Sequence, residues 1–157
     1  ITNLLEGRQI PIHGRGEHIR SWVHTQDFCE ALDLVMHEAE HFKTYNIAGE
    51  ERSTLEVVRF ILDIVGSDPN IHIKFVQDRP GPDFRYSVED SKIRRELSWE
   101  PQRSYDKAIY DLIDWYTTNK DWWLRIKRKS SFTDYYKKQY RGYAAFGREE
   151  LPHPGKF

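Results

Sequence analysis

The sequence predicts an α/β fold. Short extended runs alternate along the chain with longer segments in which apolar residues recur every three to four positions, the period of a helix. The order strand, helix, strand, helix, strand, helix favours a sheet covered by helices. The chain has 157 residues, which is enough for one domain with its own core.

The first part of the chain opens with the end of a helix, residues 3–8, stopped by a glycine. Residues 10–14 form a short extended run, and Pro11 within it predicts a sheet-edge or loop-flanking strand. A glycine-containing turn follows. Residues 19–24 are predicted to form the next strand.

A helix is predicted over residues 25–42, with either Thr25 or Asp27 capping its start. Its apolar residues share one face and are Phe28, Ala31, Leu32, Val35 and Met36. Residues 44–49 follow as a compact buried strand that ends at Gly49.

The second part begins with a capping box, Ser53-x-x-Glu56, which predicts the start of a helix that ends at Gly66. The inner face of this helix consists of Leu55, Val58, Ile61, Leu62 and Val65. Residues 71–76 alternate like a strand. The remaining segments are a Pro/Gly loop, a short polar helix and a longer amphipathic helix, at residues 77–87, 88–97 and 104–120.

Composition excludes several classes of protein. The net charge of −1 gives no global electrostatic reason for binding nucleic acid or an anionic membrane. No apolar run reaches the roughly 18 residues of a membrane span. The single cysteine, Cys29, excludes an internal disulfide framework and fits a reducing compartment, so we expect a cytoplasmic location.

Two short motifs imitate catalytic ones. His37 and His41 match the H-E-x-x-H zinc pattern, but no third ligand follows and the pair falls on the last turn of its helix, so a solvated helix end is the better interpretation. Tyr116 and Lys120 match a Tyr-x-x-x-Lys pair, but the tyrosine belongs to an apolar stripe. We therefore expect a core tyrosine with a lysine at the helix end.

Two other segments could bind an anion. The first places Arg20 on a strand after a glycine turn, and the second places Arg79 and Arg85 on either side of a rigid Pro-Gly-Pro loop that carries Asp83. Arginine grips phosphate oxygens with a planar fork of donors. Either segment alone is as readily an ordinary surface loop. Together they suggest a diphosphate ligand.

The same segments resemble the C-terminal half of the extended short-chain dehydrogenase/reductase family, and within it the nucleotide-sugar 4,6-dehydratases that act on dTDP-glucose. The matching stretches are residues 6–32, 44–58, 78–109 and 114–123. The resemblance covers residues 1 to about 125. Its most specific part is the run Arg-Pro-Gly-Pro-Asp-Phe-Arg-Tyr at 79–86 with the helix after it.

The resemblance implies a nucleotide-sugar site. By position, Arg20 and Arg79 would hold the pyrophosphate and Asn46 would contact the nucleotide-sugar. The nucleotide end would be lined by Pro80, Gly81, Pro82 and Asp83, with Arg85 and Tyr86 beside them. The family often has histidine where this chain has Pro82, so one side-chain donor is missing here.

The resemblance also implies a domain organisation. Residues 1–49 would form C-terminal edge elements of a Rossmann-like parallel sheet, residues 50–125 the small substrate-binding domain, and residues 126–157 a basic, aromatic extension. The chain begins with Ile1 rather than Met, so we expect it to be a piece of a longer protein.

In the full-length parent, the resemblance implies hydride transfer from C4 of the sugar to NAD, loss of water across C5–C6, and return of the hydride to C6. The catalytic Tyr and Lys, the Gly-rich NAD turn and the carboxylates for elimination belong to the N-terminal half of such enzymes. We therefore expect this chain to hold no catalytic residue, no NAD and no metal. Its expected partners are a nucleoside diphosphate-sugar and the N-terminal Rossmann half, in a homodimeric parent.

Three alternatives stay open at this point. The chain could belong to a sister nucleotide-sugar epimerase or decarboxylase, or it could be a stand-alone, non-catalytic sugar-nucleotide binding module. In the third alternative, the basic, aromatic residues 124–143 would bind single-stranded nucleic acid. A helix with Lys137 and Lys138 outside and tyrosines inside explains that pattern more simply.

Overall fold

A computed structural model describes residues 1–140, and residues 141–157 lie outside the described part. It confirms the α/β class. The elements in chain order are α1 (Thr2–Leu5), β1 (Ile10–His13), β2 (Ile19–Trp22), α2 (Thr25–Glu38), β3 (Glu50–Ser53), α3 (Thr54–Ile64), α4 (Pro69–His72), β4 (Ile73–Val76), β5 (Arg85–Tyr86), α5 (Ser91–Leu97), α6 (Tyr105–Thr118), α7 (Lys120–Lys127) and α8 (Ser130–Gln139). No helix in this part is long and apolar enough to cross a membrane.

The chain divides into two compact units. Unit 1 contains residues 1–16, 55–82 and, among the described residues, those from 110 to 140; unit 2 contains residues 17–54 and 83–109. The predicted boundaries near residues 49 and 125 are a different kind of division, based on the resemblance, and stay a prediction.

Unit 1 is built on a parallel pair of strands, β1 and β4, with Ile10 opposite Ile73 and His13 opposite Val76. Pro11 is tolerated in β1 because, in the described part, this strand has only β4 as a neighbour. The buried apolar residues of the unit are Leu4, Ile12, Val57, Ile61, Leu62, Val65, Ile113 and Trp123. Helix α3 starts next to Ser53 as predicted, but Val57 is buried while Leu55 and Val58 are only half-buried.

Unit 2 contains a three-stranded sheet in the order β3-β2-β5. Strand β3 pairs antiparallel with β2 and places Arg52 opposite Arg20; β5 pairs parallel with β2 and places Tyr86 on the other side of Arg20. Residues at paired positions lie on the same face of a sheet. The core of the unit is Ala31, Ile93 and Trp99, surrounded by Val23, Leu34, Val35, Tyr45, Ile47 and Leu97.

The strand predicted at residues 44–49 is not formed. This segment is extended, but β2 takes its antiparallel partner from Glu50–Ser53 instead. Gly49 ends the segment against β2, where its N–H donates to Ser21 Oγ at 2.8 Å. The prediction placed the strand in the wrong segment because it used apolar composition alone. A strand also needs a neighbouring strand whose backbone N–H and C=O groups are free to pair with it.

Helix α2 is shorter than predicted, since it ends at Glu38 rather than at residue 42. Its cap is His24, whose Nδ1 accepts from the Gln26 N–H at 3.1 Å, and not Thr25 or Asp27. Of the predicted apolar face only Ala31 is fully buried, and Met36 is 79 % exposed. The strand predicted at 71–76 is confirmed over Ile73–Val76, while residues 71–72 belong to α4.

Gly49 gives a test of the packing in unit 2. A Cβ at this position would lie 1.8 Å from the carbonyl oxygen of Trp22, so the backbone would have to move. We expect Gly49→Ala to lower the free energy of unfolding by about 3 kcal/mol, the upper end for overpacking, as measured by urea denaturation. The control is Gly66→Ala, where a Cβ meets nothing within 4 Å and only the positive φ of +64° is unfavourable. That variant should lose about 1 kcal/mol, and equal losses would contradict the prediction.

Candidate functional site

Arg20 lies in the middle of the unit 2 sheet and its side chain is fixed by backbone oxygens. Nη1 donates to the carbonyl of Ile19 at 2.6 Å, and Nη2 donates to the carbonyl of Asp83 at 3.0 Å. No carboxylate among residues 1–140 forms an ion pair with Arg20. Its positive charge is therefore not neutralised by a carboxylate of the described part of the chain. A guanidinium has five N–H donors, so donors remain for an anion.

The pairing of β5 with β2 brings three of the predicted residues together. The Asp83 carbonyl binds Arg20, the Ile19 N–H donates to the Phe84 carbonyl at 2.8 Å, and Tyr86 pairs with Arg20 in register. Tyr86 is 64 % exposed, so its ring is available for contact. Sequence reasoning predicted this loop as a single irregular stretch and missed that β5 attaches it to β2.

Arg85 is placed differently. It pairs in register with Ile19, so the alternation of side chains along β5 puts it on the face opposite Tyr86. Its Nη2 donates to Glu51 Oε1 at 2.5 Å and its Nε to Glu51 Oε2 at 3.2 Å. These hydrogen bonds lower the pKa of Glu51 and raise that of Arg85. The structure therefore does not bring Arg85 to the face that carries Arg20.

Asn46 lies in the extended segment before Gly49 and is exposed. Its Nδ2 donates to the carbonyl of Glu89 at 3.1 Å, just before α5. This bond fixes the orientation of the amide and leaves its oxygen as an acceptor. The side chain can thus offer one hydrogen-bond acceptor and one further N–H to a ligand.

Arg79 and Pro80 lie in unit 1, in the loop that follows β4. They line a cleft of about 620 Å³, within the usual range for small-molecule sites. Asp78, also in its lining, accepts the Arg79 N–H through Oδ1 at 2.8 Å. Gly14 faces this aspartate closely, since a Cβ there would come within 2.7 Å of Asp78 Oδ2.

The Pro-Gly-Pro turn after Arg79 needs its glycine. Gly81 has a φ of +66°, the left-handed region in which a side chain is strained. Pro80 and Gly81 are exposed and Pro82 is half-buried. The two prolines restrict the backbone on either side of this glycine, so the turn has little conformational entropy to lose when it binds a ligand.

The other lining residues of this cleft were not predicted. His13 comes from β1, and Gln139 and Tyr140 come from the end of α8; the rest of the lining is Lys74, Phe75 and Val76 of β4 and Gln77 after it. The sequence signal that could have found Tyr140 is the aromatic spacing along α8 and its cap, where Phe132, Tyr136 and Tyr140 recur every four residues.

The two histidines of the H-E-x-x-H motif do not lie on one helix face. His37 is on the last turn of α2, and its Nδ1 lies 2.8 Å from the Asp33 carbonyl oxygen, while His41 lies beyond the helix end. Across residues 1–140, no group of three His, Cys, Asp or Glu side chains is placed to hold a metal ion.

Comparison with known proteins gives a consistent family. Residues 1–112 match the family model described as GDP-mannose 4,6-dehydratase. The dTDP-glucose 4,6-dehydratase of Escherichia coli is 37 % identical over 137 residues, which covers 80 % of this chain and 38 % of the relative. The chain thus spans about two-fifths of the length of the curated relatives it matches.

Solved structures agree with the sequence match. The dTDP-glucose 4,6-dehydratase from Bacillus anthracis, solved in complex with NAD, is 35 % identical with a TM-score of 0.76, covering 80 % of this chain and 40 % of that one. The UDP-glucose 4-epimerase from Thermotoga maritima shares the fold, with 22 % identity and a TM-score of 0.68 over 74 % of this chain and 37 % of that one. The chain therefore belongs to the nucleotide-sugar dehydratase and epimerase family of extended short-chain dehydrogenases/reductases.

Proposed function

We propose that this chain is the substrate-binding part of an NAD-dependent nucleotide-sugar 4,6-dehydratase that acts on dTDP-glucose. The observation that carries the proposal is the anchoring of Arg20. Its guanidinium is held by two backbone carbonyls, one of them from Asp83 in the predicted nucleotide loop, and no described carboxylate neutralises it. An arginine held in this way is suited to a diphosphate.

Each predicted residue has a role in this proposal. Arg20 and Arg79 hold the pyrophosphate, and Asn46 contacts the nucleotide-sugar through its amide. The loop lines the nucleotide end with Pro80, Gly81, Pro82 and Asp83. Tyr86 lies beside Asp83 on the Arg20 face, while Arg85 lies on the opposite face, where it donates hydrogen bonds to Glu51.

The proposed domain organisation follows the resemblance. Residues 1–49 supply edge elements of the NAD-binding domain, residues 50–125 form the substrate domain and residues 126–157 extend it. NAD is the proposed cofactor of the whole enzyme, because the Bacillus anthracis relative was solved with it. This sequence contains no Gly-rich turn between a strand and a helix, which dinucleotides require, so we assign none of its residues to NAD.

The test is to titrate the 157-residue chain with dTDP-glucose, UDP-glucose and GDP-mannose by calorimetry, and to assay each for conversion to a 4-keto sugar. We expect dTDP-glucose to bind at least about tenfold more tightly than the other two. We also expect no turnover, because the residues for hydride and proton transfer are not among those in this sequence. Equal affinity for all three sugars would contradict the proposed substrate, and conversion by the chain alone would contradict the proposed role.

A further inference from the structure

Helix α8 carries a column of aromatic rings along one face. The rings of Phe132 and Tyr136 stack with centroids 5.9 Å apart, and those of Tyr136 and Tyr140 lie 4.5 Å apart. The column continues onto the first unit 1 strand, since the Tyr140 ring stacks on His13 at 5.7 Å with an interplanar angle of 27°. The column therefore links the end of α8 to the end of β1.

The position of α8 is fixed by polar contacts with α1. Asn3 Nδ2 donates to the Tyr136 hydroxyl at 2.9 Å. Lys127, at the end of α7, contacts Glu6 Oε2 at 2.5 Å and Asn3 Oδ1 at 3.0 Å, and its side chain is only 11 % exposed. The helix is therefore held both in its middle, through Tyr136, and through the element before it, and these contacts position Tyr140 at its end.

Tyr140 and His13 form an aromatic wall of the cleft that also contains Arg79. Burial raises the pKa of the Tyr140 hydroxyl, so the ring stays uncharged, and the charge of Arg79 acts on this pKa in the opposite sense. The cleft thus combines flat aromatic surface with the cations Lys74 and Arg79 and the carboxylate of Asp78. The rings suit an aromatic base and the cations suit phosphates, while the Asp78 carboxylate can accept an N–H of the base.

We propose that the unit 1 cleft binds the base of a nucleoside diphosphate, with Tyr140, at the end of α8, as a binding residue that packs, together with His13, against the base. The inference rests on the proposed function and deepens it. It assigns a ligand contact to a helix beyond residues 1–112, the segment that matches the family model. Residues 126–140 would then help to select the base.

The test compares Tyr140→Leu and Tyr140→Phe with a matched control, Tyr135→Leu. Tyr135 is also on α8 but is 65 % exposed and does not line the cleft. In calorimetric titrations of the full chain, Tyr140→Leu should weaken binding of both thymidine and dTDP about tenfold, because stacking on the base is lost. Inorganic pyrophosphate should bind within about twofold of the parent chain. Tyr140→Phe keeps the ring, so it and Tyr135→Leu should stay within about twofold for every ligand.

A second measurement needs no variant. A photoreactive 5-iodo-2′-deoxyuridine 5′-diphosphate should crosslink to the peptide that contains Tyr140 or His13, as read by mass spectrometry. Adducts that map only elsewhere would overturn the assignment of α8. So would unchanged dTDP affinity in Tyr140→Leu, or an equal loss for dTDP and pyrophosphate, which would indicate a purely structural role. If the parent chain binds no dTDP at all, the proposed function fails together with this inference; if the parent binds and only the α8 results fail, the proposed function stands.

Discussion

Replacing Asp27 with alanine is expected to lower the free energy of unfolding by about 3 kcal/mol. Asp27 is 1 % exposed, in the first turn of α2. One carboxylate oxygen accepts the backbone N–H of Arg103 at 3.2 Å, and the other binds the Arg103 guanidinium. Alanine would leave a backbone N–H without its acceptor and a cavity under the helix. The value lies at the low end for a broken buried pair because Glu30 still binds Arg103 Nη2, at 2.9 Å.

The measurement is urea denaturation followed by far-UV circular dichroism, with the slope of the transition as a check on the compactness of both states. The control is Glu38→Ala, an exposed carboxylate at the other end of the same helix, which should change stability by less than about 0.5 kcal/mol. A loss below about 1 kcal/mol in Asp27→Ala at an unchanged slope would show that the contact with Arg103 is not a main constraint on unit 2.

The Asp27 carboxylate should also make the free energy of unfolding depend on pH. Burial alone would raise the pKa of Asp27, but the hydrogen bonds from Arg103 outweigh it and hold the pKa below its ordinary value of 3.8. A group with a depressed folded-state pKa stabilises the fold fully above its unfolded value and loses that contribution as the pH falls through the folded value. The difference between the natural chain and Asp27→Ala should therefore be constant from pH 7 to about pH 5 and shrink below about pH 4.

Asp27 also shows where prediction from sequence stops. As a carboxylate near the start of an amphipathic helix, it was a reasonable cap, but its partner is Arg103, far along the chain. Helices whose apolar period is strong could be predicted: α3 and α6 lie within two residues of their expected bounds. Such periodicity is a local property. The pairing of Asp27 with Arg103 is not.

The strands show the same limit of prediction from local sequence patterns. The extended runs at β1, β2 and β4 were predicted from alternation and composition. The strand at 44–49 was wrong, and β3 and β5 were missed, because β2 selects its neighbours through backbone hydrogen bonds and not through side-chain composition. Glu50–Ser53 is polar and carries no strand signal, yet it pairs with the whole of β2.

For the site, the residues themselves indicated Arg20 and the loop that carries Arg79, Asp83 and Arg85, and the resemblance added Asn46 and Tyr86. Their geometry needed the structure. The opposite orientation of Arg85 and Tyr86 follows from β5, and the aromatic wall of His13 and Tyr140 joins the two ends of the described chain. No local pattern connects two residues at that separation.

The second large effect is expected for Arg20→Ala, which should weaken dTDP binding by about 10- to 100-fold, the range for loss of one charged hydrogen-bonding partner. The physical reason is that Arg20 has no carboxylate partner among the described residues, so its charge is available to the pyrophosphate. Thymidine, which has no phosphate, should bind within about threefold of its affinity for the natural chain. Titration calorimetry with both ligands measures the difference.

Arg85→Ala is the matched control, because it removes the same charge from the neighbouring strand. Glu51 already takes two hydrogen bonds from Arg85, so a ligand has less to gain from this guanidinium. We expect a loss of less than about threefold for dTDP. Arg20→Lys should fall between the two, since lysine keeps the charge but not the fork that reaches both the Asp83 carbonyl and a phosphate.

The control also separates binding from structure. If Arg20→Ala weakened thymidine and dTDP equally, Arg20 would act only by holding the Asp83 loop in place, and the pyrophosphate would have to be held elsewhere. If Arg85→Ala caused the larger loss of dTDP affinity, the diphosphate would lie on the face of the sheet that carries Glu51 and Arg85. A large, phosphate-dependent loss in Arg20→Ala alone places the diphosphate on the face shared by Arg20 and Tyr86, because strand register leaves Arg85 on the other.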